Sequence, residues 1–144
     1  MTKDSVEKFF ERYERFFAQS LDEEMDVNEA SSLYAQEFIA ASPVGVMAGK
    51  NDVQFQKALI QGYENHRKIG TKGMRVREVG VSPIDELHCV AHVAWTAMYA
   101  TVDKPNMAID FEVHYLMQKH DDKLRIFGWI SGDEQKLLKE HGVI

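Results

Sequence analysis

At 144 residues, 44% of them hydrophobic and 28% charged, the chain is long enough to bury a sizeable core as one globular domain over 1–144. A net charge of −6, with no Lys/Arg cluster beyond scattered pairs, leaves no basic footprint for nucleic acid or for an anionic membrane surface. Cys89 is the single cysteine, so no internal disulfide forms, and no stretch approaches the roughly 18 apolar residues of a membrane span. The first residues alternate charge with aromatics instead of forming an apolar signal segment, and the expected location is cytoplasmic.

Val6, Phe9, Phe10, Tyr13, Phe16 and Phe17 recur at helical spacing and predict a first helix with an aromatic face, started by Asp4 and Glu7. Asp26 and Glu29 predict the start of a second helix carrying Val27, Ala30, Leu33, Tyr34 and Phe38 on one side. Residues 37–49 read as two short extended pieces about Ser42-Pro43, because proline turns the residue before it away from helix. A third helix is capped at Asn51-Asp52, presents Phe55, Leu59, Ile60 and Tyr63, and stops at Gly70.

After Gly73 the rhythm changes to period two. Residues 74–82, 87–102, 106–119 and 123–131 read as four strands, and a short helix, capped by Asp133-Glu134, ends before Gly142. Pairing Val102 with Asn106 across a three-residue loop sets Tyr99, Trp95 and Ala91 opposite Ile109, Val113 and Met117 on one apolar face. The other face then carries His88, His92 and Met98 against His120, Leu116 and Asp110, with His114 and Glu112 between them.

Helices followed by a strand meander predict an α+β fold. It is a cone-shaped roll, with three N-terminal helices on the concave face of a curved, mainly antiparallel sheet and a short C-terminal helix. The centre of such a cone is a cavity for a small molecule.

That element order, together with "YAQEFIAASPVGVMAG" at 34–49 and "LRIFGWISGDE" at 124–134, resembles the nuclear transport factor two-like superfamily. The superfamily includes ketosteroid isomerases, SnoaL-like polyketide cyclases, scytalone dehydratase and a kinase association domain. The resemblance implies a general base just before Pro-Val-Gly, where this chain has Ser42. A serine hydroxyl is no base unless a neighbouring His or Lys assists it, and His66 is the neighbour to consider. The resemblance also places an oxyanion-donating tyrosine near Tyr13 and a proton donor at His114 or Tyr115. The ketosteroid isomerase arrangement is itself a standard example of tuned carboxyl groups.

Three functions follow as expectations. The first is a binding protein for a small hydrophobic or carbonyl-containing ligand, lacking the isomerase base. Its pocket is lined by Phe17, Phe38, Ser42, Met47, Tyr63, Trp95, Tyr99, Phe111 and Trp129. The second is an enzyme of cyclase, dehydratase or isomerase type that moves protons through His114, Tyr115 or Tyr13. The third is an assembly domain.

No cofactor and no metal is expected. His88 and His92 lie roughly 13 Å apart on a strand, too far to share an ion, and a His88–His120 cross-strand pair has no third ligand. The mixed apolar and histidine-rich outer face predicts a homodimer, a mode the resemblance also implies, and its histidines make that assembly sensitive to acid.

Overall fold

The computed structural model describes residues 1–144. Helix α1 (Lys3–Asp22) starts at a capping box in which Thr2 and Ser5 exchange side-chain to backbone bonds, slightly ahead of the predicted Asp4. Helix α2 (Val27–Leu33) is capped by Asp26, whose carboxylate accepts from the amides of Asn28 and Glu29. It ends sooner than its apolar pattern suggests. Tyr34 and Phe38 belong instead to strand β1 (Tyr34–Ser42), where their burial continues the same inward side.

Strand β2 (Gly45–Lys50) returns along β1, with Ser42 opposite Gly45. Helix α3 (Val53–Lys68) begins at the Asp52 cap and stops at Gly70, whose φ of 87° only glycine adopts readily. A Cβ there would also meet the Ala100 carbonyl oxygen at 2.3 Å, so the glycine is needed twice over.

Strands β3 (Thr71–Pro83), β4 (His88–Tyr99), β5 (Met107–His120) and β6 (Lys123–Ser131) form the meander, and helix α4 (Glu134–Glu140) closes the chain. The six strands lie in the order β2-β1-β6-β5-β4-β3, antiparallel except where β1 runs parallel to β6. Register shifts in β3 between Thr71 and Gly73 and between Val76 and Glu78, and in β6 at Phe127 opposite Leu116 and Met117, bend the sheet. At the Val76 shift, the Glu14 carboxylate of α1 accepts from the Val76 amide at 2.8 Å and replaces the lost ladder partner.

Strands β4 and β5 pair two positions away from the predicted register. Tyr99 faces Met107 and Trp95 faces Phe111, because the connection spans residues 100–106 rather than a three-residue turn. A slip of two keeps every side chain on its own face, so the division into an apolar and a mixed face stands. The partners on the mixed face do change: His92 pairs with His114, and His88 pairs with Gln118 instead of His120.

The apolar face and α1 make the core. Phe10, Trp95, Val93, Met117 and Ile126 are buried there, and Phe10 packs edge-on to Trp95. Helix α2 is tied to α1 by an ion pair from Arg12 to Glu29 at 2.6 Å and by the Arg12 contact to Ser32. No helix is long and apolar enough to cross a membrane.

Candidate functional site

The core does not fill the cone. A cavity of about 300 Å³ remains between the sheet, α1, α3 and α4. Tyr13 and Phe17 come from α1, Tyr34 from β1, and Leu59 and His66 from α3. Met74 and Tyr99 project from β3 and β4, and Ile109, Phe111, Val113 and Tyr115 from the inward side of β5. Trp129 and Ser131 complete the sheet wall, while Glu134, Leu137 and Leu138 of α4 form the lip. Thirteen of the 16 lining residues are hydrophobic, so polar recognition falls to a few groups at fixed places.

The deepest of these are tyrosine hydroxyls. Trp95, itself fully buried, donates Nε1–H to the Tyr115 hydroxyl at 3.1 Å. That bond uses an acceptor site on the oxygen and leaves the Tyr115 proton free to be donated. The hydroxyls of Tyr13 and Tyr34 lie 3.3 Å apart, and since one donates to the other, the pair also keeps one free O–H. Burial pushes all three phenols above their ordinary value, so they remain protonated donors.

Two titratable groups stand above this floor. His66 Nδ1 lies 3.2 Å from the Thr71 hydroxyl, and burial lowers its pKa, which holds the imidazole neutral. Glu134 sits in the first turn of α4 and keeps solvent contact at the lip. The apolar groups around its carboxyl nonetheless desolvate it and raise its pKa.

The fold finds its counterparts in known proteins. A family model described as NTF2-like protein (DUF6841) matches residues 3–134. The chain belongs to this NTF2-like family. Among solved structures, an NTF2-like protein of unknown function from Shewanella oneidensis superposes with a TM-score of 0.70 at 14% identity, covering 92% of this chain and 100% of that one. Aln2 from a Streptomyces species gives 0.67 at 10% identity, covering 97% and 98%. An NTF2-like protein with a cystatin-like fold from Novosphingobium aromaticivorans gives 0.66 at 14%, covering 90% and 80%. At such identities the likeness is one of fold. No curated protein matches this chain.

Within this NTF2-like cone, the residues singled out from sequence separate into three groups. Tyr13, Phe17, Tyr99, Phe111, Tyr115 and Trp129 line the cavity together. Trp95, Tyr63 and Phe38 stand one layer behind it. Trp95 orients Tyr115, Tyr63 packs edge-on to Phe17, and Phe38 stacks on Trp129 with ring centroids 5.2 Å apart. The Phe38 ring is itself seated on Gly49, where a Cβ would come within 2.5 Å of it.

His114 lies elsewhere, whereas Ser42 and Met47 line a neighbouring pocket that shares Trp129 and Ser131 with the cavity. His114 is on the outer sheet face, its Nδ1 2.7 Å from that of His92, because it alternates with the inward Val113 and Tyr115. That position removes it from proton transfer in the cavity. Ser42 is held in the β1–β2 turn, where its hydroxyl accepts from the Val44 amide at 3.4 Å. Met47 is 72% exposed on the edge strand.

Sequence reasoning passes over Tyr34, Ser131, Leu137 and Leu138, and the apolar Leu59, Met74, Ile109 and Val113, as lining groups, treats His66 only as a helper for Ser42, and assigns Glu134 to capping. Asp133 alone makes the cap, accepting from the Lys136 amide at 3.0 Å. Signals for two of them are present. His66 continues the Leu59, Tyr63 stripe of α3, and Glu134, Leu137 and Leu138 share one helical face at i, i+3, i+4.

Proposed function

We propose that the chain binds a small, mainly apolar molecule in the cone cavity and holds an acceptor oxygen of that molecule, such as a carbonyl, on the tyrosine floor. The carrying observation is the pair of free phenolic protons in an otherwise greasy enclosure, from Tyr115 and from the Tyr13–Tyr34 couple. The cavity volume is near the lower end of ligand sites, roughly 300–1,000 Å³, which favours one or two rings over a larger polycycle.

The test is a matched pair of probes, 2-tetralone and tetralin, which differ in the carbonyl. The ketone is expected to bind the wild-type chain about tenfold more tightly, the weight of one good hydrogen bond. In Tyr115→Phe that advantage should shrink while tetralin binding holds. Equal affinity of the two probes for the wild type would remove the oxygen-binding role of the tyrosines.

A catalytic reading draws on the same groups. Tyr13 and Tyr115 are the proton donors within reach of a ligand, and His66, neutral and in the wall, is the base an isomerase- or lyase-type reaction would use.

The outer face supports a second, compatible proposal, a homodimer. Ile39 and Ile130 are 42% and 48% exposed there, beside half-buried Phe127, Leu116 and Val90 and the His92–His114 pair. Contiguous apolar surface of this kind, rimmed by polar groups, marks a protein interface. Ile130→Asp is expected to convert a dimer to monomer in sedimentation, and a wild type that sediments as monomer at all concentrations ends this reading.

A further inference from the structure

The charges around the cavity are one-sided. Glu134 is the only acid in its lining, and no Lys or Arg lines it. His66 supplies no balancing charge, since burial keeps it neutral. The Glu134 carboxyl has no charged or hydrogen-bonding group within the chain to offset its desolvation. After burial, its charge is a further cause that raises the pKa of Tyr13, Tyr99 and Tyr115, so its field reaches the hydroxyls across the cavity.

The surrounding wall is aromatic, with Tyr13, Tyr34, Tyr99, Phe111, Tyr115 and Trp129 presenting rings to the same space. The faces of such rings attract a cation. An anionic guest would meet an unpaired carboxylate and no positive group.

We propose that the ligand carries a protonated amine, and that Glu134 is its counter-ion at the lip while the aromatic wall encloses the rest. This rests on the reading of the cavity as a ligand site and adds the charge class of the ligand. The two polar requirements sit at different depths: an acceptor oxygen on the tyrosine floor and an ammonium at the α4 lip. The net charge of −6 favours the approach of a cation as well.

Three tetralin probes separate the possibilities: 2-aminotetralin, 2-tetralone and tetralin-2-carboxylate, titrated by calorimetry at pH 7 into the wild type and Glu134→Gln. The substitution leaves the Asp133 cap in place, and circular dichroism checks the fold. For the wild type, the amine is expected to bind about tenfold more tightly than the ketone, a partly solvated ion pair with ring contacts, and the carboxylate least. In Glu134→Gln the amine should lose that advantage, the ketone should be unchanged and the carboxylate should gain. An amine no tighter than the ketone, or an amine preference that survives Glu134→Gln, overturns the proposal while leaving the cavity a ligand site. Failure of all three to bind the wild type overturns the ligand-site reading itself.

Discussion

Phe10→Ala is expected to destabilise the protein by about 3–5 kcal/mol, the usual cost of deleting a fully buried ring. Phe10 is completely buried, with its ring 4.8 Å from Tyr115, 6.1 Å from Tyr13 and 6.3 Å from Trp95. Each of those neighbours either lines the cavity or orients a group that does. Removing Phe10 thus loses transfer free energy, opens a void and takes away the support on which the tyrosine floor rests. The void adjoins a space that is already open, so Tyr13 and Tyr115 can tip toward it, and ligand affinity should fall together with stability. Urea unfolding of wild type and variant checks the first part, with an unchanged slope and a lower midpoint. A loss under about 1 kcal/mol would mean that the floor is not propped from α1 as the packing indicates.

The link between Phe10 and the floor also shows which parts of the architecture can be seen in the sequence. Alternation along β4 and β5 separates the two faces because one apolar side must leave water, and a two-residue register error does not disturb that separation. The aromatic stripe of α1 is visible for the same reason. Tyr13 and Phe17 on the cavity and Phe10 beneath it have the same spacing signature, however, and only the packing distinguishes wall from core. Alternation assigns Trp95 to the wall, yet it is fully buried behind Tyr115.

His114 illustrates a different limit. A resemblance can place a proton donor at His114 or Tyr115, but these neighbours on a strand point to opposite sides, and the unbroken β4–β5 register puts His114 opposite His92 on the outer face. Glu134 is the least legible of all. A carboxylate in the first turn of a short helix is ordinary capping and dipole chemistry. It faces the cavity only because α4 folds back so that Leu137 and Leu138 pack near Tyr99 and Ile109.

Val113→Phe is expected to raise stability by about 0.5–2 kcal/mol, as cavity-filling substitutions do, while weakening 2-tetralone binding at least ~100-fold. Val113 is buried on β5 between Phe111 and Tyr115, and its side chain borders the open space. The larger ring would extend into that space and take up contacts now missing from Leu59, Tyr99 or Leu138 on the other walls. In a filled core the same change would overpack and cost roughly 1–3 kcal/mol instead. The two readouts therefore move in opposite directions only if the space is real and the ligand uses it. A destabilised Val113→Phe would show a solid interior, and a stabilised variant that still binds the ketone would put the guest somewhere other than the cone.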